Sequence, residues 1–316
     1  LADKESDMPF CLCWANENWT RRWDAAEHEI LIAQKYLPDD DLNFIKSLIP
    51  FFRDARYIRL NNEPVLIVYR PQHLPDPRKT AKVWRDYCAS VGIGKIHLCA
   101  ALTHGNEDFT QFGFDSGVEF PPHNMRCGTA NHRTRFFEPF QGWVVDYKDI
   151  AESYMSRRYP LGKVFRTVFP SWDNTARANN RAGIVTNACP ENYEYWLSRT
   201  IQRTMGDLSD QEPLVFINAW NEWAEGCHLE PDRKHGQKFL QATLNAKRGR
   251  SRMSGMDEIL RMSIADSAGV AKRTVMGDLR AISSYHLQRV IAQARGWLNH
   301  YPRMKHTLRR LRLLFG

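Results

Sequence analysis

The chain has 316 residues, of which 43% are hydrophobic and 25% charged, a composition typical of a globular protein and unlike that of fibrous or disordered chains. Neither an 18-residue apolar run nor a signal-peptide pattern occurs in these residues, and a segment preceding Leu1 could carry either. The formal net charge of +8 is unevenly distributed: residues 246–316 contain 15 Lys and Arg against 4 Asp and Glu, whereas residues 1–245 contain 29 against 32.

The seven cysteines are an odd number and lack the spacing of metal ligands. Cys11 and Cys13 lie one residue apart on a predicted strand, where they share a face and do not bridge easily. Free thiols in a reducing cytoplasm fit this pattern best. We therefore predict a cytoplasmic protein that uses no metal and no other cofactor.

Six short apolar runs in the first 245 residues predict β-strands. They cover residues 9–14, 64–69, 96–102, 116–120, 164–169 and 214–219. Most of these runs are continuous and not alternating, as expected for parallel strands that are buried on both faces. Amphipathic segments between them predict helices over 40–54, 79–91 and 191–205. This order of elements indicates repeated βα units and a parallel sheet, either doubly wound or closed into a barrel.

Polar and aromatic residues lie at the end of strand after strand, where (β/α)8 barrels place their active sites. These candidate substrate-binding residues are Trp14, Asn16, Glu17, Trp19, Glu119, His123, Trp172, Asp173, Trp220, Asn221 and Trp223. No Gly-rich phosphate loop follows any strand, which disfavours a dinucleotide-binding doubly wound fold. We therefore predict a TIM-type (β/α)8 barrel over residues 1–245. Because only six of eight strands are found and the chain opens almost directly into one, we expect one or two N-terminal βα units to be missing.

The pair Glu222 and Glu225 is the strongest local signal for chemistry. Two carboxylates three residues apart lie roughly 5–6 Å from each other if the chain turns helically between them. Cleavage of a glycosidic bond needs one carboxyl group to protonate the departing oxygen and another to act as base or nucleophile. Trp220 and Trp223 beside them offer flat rings for sugar stacking. The alternative interpretation is a solvated acidic loop next to a core tryptophan.

Three motifs resemble the WbsX-type family, a glycoside hydrolase family 99-like group found with bacterial surface-polysaccharide genes. They are CWANENWTRRW at 13–23, VEFPPH at 118–123 and NAWNEWAEGCHLEPD at 218–232. The resemblance implies a (β/α)8 barrel that acts on cell-surface glycans or lipid-linked oligosaccharides. It also implies catalytic roles: Glu222 would assist attack by a substrate hydroxyl as base, and Glu225 would be the general acid/base at the glycosidic oxygen. Ala224 stands where the hydrolases usually have His, which leaves open a glycan-binding barrel without catalysis.

Residues 246–316 predict a separate, basic and helical C-terminal appendage. Its positive charge and the apolar and basic run at 309–315 are typical of a segment that contacts the inner face of the cytoplasmic membrane. The alternative is a helical appendage that packs on the barrel or links it to a missing domain. Residues 264–279 have the spacing of a helix-turn-helix, but Gly277 would weaken the recognition helix. We therefore rank DNA binding below the other two interpretations.

Overall fold

A parallel β-sheet organises the structure, a computed structural model that describes residues 6–21, 26–136, 139–159, 162–207 and 213–249. In the first half the elements are β1 Leu12–Trp14, β2 Trp19–Arg21, β3 Ala26–Ile32, α1 Asp40–Phe52, β4 Arg59–Leu60, β5 Glu63–Val68, α2 Pro77–Ser90, β6 His97–Leu102 and β7 Ser116–Glu119. In the second half they are β8 Trp143–Asp146, α3 Tyr147–Met155, β9 Val164–Val168, α4 Thr175–Ala178, β10 Gly183–Thr186, α5 Pro190–Asp207, β11 Val215–Ile217, β12 Asn221–Glu222, β13 Cys227–His228 and α6 Lys238–Lys247.

The main sheet has the order β1-β5-β6-β7-β9-β11, and each neighbouring pair is parallel. These six strands coincide with the six predicted apolar runs, so the predicted (β/α) architecture is confirmed. Short β4 adds an antiparallel partner to β5. Cys11 and Phe216, from the two ends of the sheet, pack against one inner cluster, so the sheet is curled into a half-barrel. Among the described strands, β1 and β11 form its two open ends. All six carboxyl ends therefore point to one edge, which we call the carboxyl edge.

Both faces of the sheet are covered, which explains why its strands read as continuous apolar runs. On the outer face, Leu66 and Leu98 pack against Trp84 of α2 and Phe52 of α1 in one core cluster. On the inner face, Ile67, Cys99, Ala101, Val118 and Phe165 pack against one another. Successive residues of a strand alternate between these faces, so neighbouring positions face different environments.

A second outer core lies under α3, α5 and α6. Trp196 of α5 is 1% exposed, and its ring contacts the rings of Tyr147 and Phe169 at centroid distances of 5.6 and 5.2 Å. Such edge-to-face contacts between large buried rings stabilise helix–sheet packing. Tyr193 of α5 and Phe239 of α6 extend the cluster, with ring centroids 5.6 Å apart. This core fixes the strand ends from which the loops of the carboxyl edge emerge.

Small ribbons support those loops. β8 and β10 form a parallel pair, and the backbone N–H of Val185 on β10 donates to the Trp172 carbonyl at 2.8 Å. Antiparallel β12 and β13 pair Glu222 with Cys227 directly after β11. The segments that follow β9 and β11 are thus held by backbone hydrogen bonds.

The described helices include none that is both long enough and apolar enough to cross a bilayer. The predicted basic appendage over 246–316 lies, from residue 250 onward, outside the described residues. Its boundary and its helical character therefore remain predictions.

Candidate functional site

The two predicted catalytic carboxylates lie in a tight turn at the carboxyl edge. Glu222 ends β12, and a 3₁₀ turn, Trp223–Glu225, leads to Gly226, which has a φ of +57°. A Cβ at Gly226 would lie 2.9 Å from the carbonyl oxygen of Asp173, so both the backbone conformation and the close approach require glycine. The Asp173 N–H donates to the Glu225 carbonyl at 2.8 Å. The loops that follow β9 and β11 are therefore joined at this turn.

A guanidinium group lies between the two carboxylates. Nη1 of Arg177 is 2.7 Å from Oε1 of Glu225, and Nη2 is 3.3 Å from Oε1 of Glu222. The side chains of Glu222, Glu225 and Arg177 are 42%, 21% and 27% exposed, so the group is open to a ligand without being fully solvated. Because one cation faces both anions, it offsets their mutual repulsion.

Sequence reasoning missed Arg177. It lies on the four-residue α4, whose start is fixed by Asp173: Oδ1 of Asp173 accepts hydrogen bonds from Thr175 N at 2.9 Å and from Thr175 Oγ1 at 2.5 Å. Arg177 precedes Glu222 by 45 residues, and no motif links the two positions. Only the convergence of the β9 and β11 loops brings them together.

Exposed aromatic rings flank the pair as the sequence predicts. Trp220 is 53% exposed and Trp223 is 50% exposed. The Trp223 ring stacks on His228 with centroids 3.7 Å apart, and its Nε1 donates to Oε2 of Glu230 at 2.7 Å. Two contacts therefore fix the orientation of an indole that remains half-exposed. Asn221 is also exposed and pairs with His228 in the β12–β13 ladder.

A second polar group lies at the ends of β5, β6 and β7. The hydroxyl of Tyr69 is 3.1 Å from Nε2 of His123 and 3.5 Å from Nε2 of His104. The two imidazole rings have centroids 4.5 Å apart. His123 was predicted, whereas Tyr69 and His104 were not, because their strand ends carry no flanking motif. This group provides hydrogen-bonding groups near the middle of the carboxyl edge.

A third group lies at the ends of β1 and β5. Oε2 of Glu17 is 3.0 Å from Nη1 of Arg70, and both side chains are 15% exposed. Nη2 of Arg70 contacts Nε2 of His73 at 2.8 Å. Burial and the Arg70 charge lower the pKa of His73, which suits a neutral imidazole that accepts from the guanidinium. Trp19 on β2 is 71% exposed.

Two predicted substrate-binding residues near β1 do not face the site at the carboxyl edge. The Trp14 ring stacks on Phe44 of α1 with centroids 4.1 Å apart and packs near Trp84, so it lies in the outer helical layer. Asn16 is fully buried: its Oδ1 accepts from Arg70 N and its Nδ2 donates to Arg70 O, both at 2.8 Å. These contacts join the β1 and β5 loops. The expectation that Trp14 and Asn16 bind sugar is corrected accordingly.

Two further candidates belong to the interior. Trp172 is 7% exposed and packs in the core with residues of α3 and α5. Glu119 is 2% exposed, and its Oε1 accepts from Arg166 at 3.0 Å and from the Tyr159 hydroxyl at 2.8 Å. Burial raises the pKa of Glu119, and the Arg166 charge opposes that effect. Glu119 therefore lies between the sheet and its helices, which corrects the prediction that it points into the carboxyl-edge site.

Within the described ranges, no three His, Cys, Asp or Glu side chains are arranged as metal ligands.

Comparison with known proteins identifies similar sequences. The model of the family described as "Glycosyltransferase WbsX" matches residues 1–243. Proteins named "Uncharacterized protein WxcX" from two strains of Xanthomonas campestris pv. campestris are 42% identical over 246 residues. That similarity covers 78% of this chain, and the chain spans 35% of the length of these relatives.

Solved structures show weaker similarity. A "Glycoside hydrolase-like protein" has a TM-score of 0.48 and 13% identity, covering 67% of this chain and 62% of its own. The GH99 endo-alpha-mannosidase from Bacteroides thetaiotaomicron has a TM-score of 0.40 and 13% identity, covering 68% and 64% of the two chains.

The position of Glu119 leads to a stability prediction. Glu119→Gln should lower the free energy of unfolding by about 3 kcal/mol, because it leaves the buried Arg166 charge without its carboxylate. Asp86→Asn is the matched control, since it removes one carboxylate from the exposed Lys82–Asp86 pair and should cost less than about 1 kcal/mol. Urea denaturation measures both. If both variants lower the free energy of unfolding by the same small amount, Glu119 and Arg166 are not a buried ion pair.

Proposed function

Because the chain belongs to the Glycosyltransferase WbsX family, we propose that it cleaves or transfers glycosidic bonds in the assembly of bacterial cell-surface polysaccharides. Glu222 and Glu225 are its acid/base pair in this proposal. The observation that carries it is the convergence of both carboxylates on Arg177, between two half-exposed tryptophans at the carboxyl edge of a half-barrel. Active sites of (β/α) barrels are built at that edge.

The contacts with Arg177 limit where a catalytic proton can reside. A guanidinium only donates hydrogen bonds, and its positive charge disfavours a proton on the carboxyl oxygen that it contacts. Proton transfer therefore uses the carboxyl oxygen that does not contact Arg177, or requires the Arg177 side chain to move away from the carboxylate. Glu222, the more exposed carboxylate, is suited to activate a hydroxyl group as base. Glu225 then protonates the departing glycosidic oxygen.

The surroundings suit a glycan better than a compact ionic substrate. Trp220 and Trp223 present indole surface, and sugar rings stack on such surfaces through their apolar faces. The Tyr69, His104 and His123 side chains and the exposed Asp173 offer donors and acceptors for hydroxyl groups. The proposed substrate is a free or lipid-linked oligosaccharide, and the acceptor is either water or another sugar.

Replacing the carboxylates tests this assignment. The wild-type chain would be assayed with defined glycans for hydrolysis, and with nucleotide sugars or lipid-linked sugars plus acceptor glycans for transfer. Product is identified by mass spectrometry. On the substrate that turns over, Glu225→Gln and Glu222→Gln should each lower kcat by roughly 100-fold or more while sparing binding, because only proton transfer is removed.

Glu152→Gln is the matched control, since Glu152 lies on α3, pairs with Lys148 and should leave turnover unchanged. Full activity in both Glu222→Gln and Glu225→Gln would refute the assignment. Glycan binding without turnover by the wild type would instead favour a glycan-binding barrel that relies on Trp220 and Trp223.

We also propose that the basic residues over 246–316 hold the protein against the inner face of the cytoplasmic membrane, near lipid-linked glycans. Each basic side chain near an anionic leaflet contributes about 1 kcal/mol. The full chain should co-sediment with phosphatidylserine-containing vesicles at low salt and be released as salt screens the attraction. Equal binding to purely zwitterionic vesicles would contradict an electrostatic anchor.

A further inference from the structure

An arginine-lined cavity of about 480 Å³ lies between the sheet and helices α3 and α5, apart from the carboxyl-edge turn. Its lining includes Arg158, Arg166, Arg199 and Arg203, and Glu119 is the one carboxylate among the described lining residues. The volume falls within the range of small-molecule sites, roughly 300–1,000 Å³. Four guanidinium groups around one carboxylate give the cavity a strong positive excess.

Buried arginines converge beside this cavity. Nη2 of Arg166 and Nη2 of Arg203 both donate to the carbonyl oxygen of Arg157, at 3.2 and 2.7 Å. Arg157 and Arg166 are themselves only 7% and 8% exposed. Glu119 offsets the charge of Arg166 through their 3.0 Å contact. Buried charges of like sign repel strongly in a medium of low dielectric constant, so an anion at this place would be stabilised.

Two neutral polar side chains in the wall have no hydrogen-bond partner among the described residues. Trp196 is 1% exposed and Thr200 is 5% exposed, and both line the cavity. Among the described residues, no hydrogen-bond partner is found for the Trp196 indole N–H or the Thr200 hydroxyl. The more exposed Arg158 has no ion pair within the described part of the chain, and Arg199 contacts only the Gln202 side chain, at 3.4 Å. Hydrogen-bond donors of Arg158, Arg199, Trp196 and Thr200 therefore line part of the cavity.

A neighbouring cavity has a more even balance of positive and negative side chains. It measures about 250 Å³ and is lined by Arg126, Arg157 and Arg158, but also by Glu107 and Asp108. Arg126 contacts Glu107 directly, so much of the charge there is offset within the protein. The larger cavity has no comparable set of carboxylates among the described residues. The positive excess is therefore a property of the α3–α5 cavity.

We propose that the α3–α5 cavity binds a phosphate-bearing small molecule, whose phosphate oxygens accept hydrogen bonds from Arg158 and Arg199 and which lies beside Arg166 and Arg203. Guanidinium groups bind phosphate through paired, charge-assisted hydrogen bonds, which makes phosphate the fitting anion. The Thr200 hydroxyl and the Trp196 N–H add neutral donors. Because the volume exceeds what one phosphate group fills, it also accommodates a sugar or nucleoside attached to the phosphate.

Calorimetric titration of the full chain tests this inference. The probes are inorganic phosphate, pyrophosphate and ADP, with adenosine as the probe without phosphate. At least one phosphate probe should bind, adenosine should not, and binding should weaken as salt rises. Tighter binding of ADP than of pyrophosphate would identify a nucleotide as the ligand class. Equal or weaker binding of ADP would identify a free phosphate anion.

Arg158→Gln and Arg199→Gln should each weaken binding by about tenfold or more, since each removes a charge-assisted hydrogen bond. Arg53→Gln is the matched control, because Arg53 is exposed at the end of α1 and should leave the Kd unchanged. Glu225→Gln should also bind normally, so this result is independent of the proposed catalysis. Lack of binding by a folded wild type, or equal Kd values in wild type, Arg158→Gln and Arg199→Gln, would overturn the proposal.

Discussion

The ion pairs between Arg177, Glu222 and Glu225 are the interaction on which the proposed site depends. Two carboxylates in one short turn repel each other, and a partly buried guanidinium at 2.7 and 3.3 Å offsets that repulsion. Arg177 reaches them because Asp173 fixes the start of α4 and because Gly226 lets the following turn approach Asp173 closely. The loops that follow β9 and β11 thus bring these three charged side chains together.

The half-barrel provides the frame for that convergence. Its parallel strands end at one edge, and Asn218 after β11 donates through Nδ2 to the Pro121 carbonyl after β7 at 2.8 Å. The loops are therefore connected across the edge as well as along it. By contrast, the arginine-lined cavity lies behind the sheet and is built from α3, α5 and the outer-facing side chains of β7 and β9. The proposed catalytic group and the proposed anion site therefore lie in separate layers of the fold.

Sequence patterns predicted the strands better than the direction of their side chains. All six strands follow from apolar runs, because burial on both faces leaves a continuous signal. Side chains of a strand alternate between its faces, however, so a shift of one residue decides whether the side chain at the strand end faces inward or outward. Val118 faces the inner core, so Glu119 faces the helices, and Trp14, paired in register with the outer-facing Val68, packs against α1. Arg177 and Tyr69 were missed because only tertiary convergence gives them a role.

A double-mutant cycle on unfolding free energy tests most directly whether Arg177 and Glu225 act as a unit. Arg177→Gln, Glu225→Gln and the double variant would be compared with the wild type by urea denaturation. We expect a coupling energy of at least about 0.5 kcal/mol, because each single variant already removes the shared contact. If the two single changes in unfolding free energy add to within about 0.3 kcal/mol, Arg177 and Glu225 act independently, which would contradict this expectation.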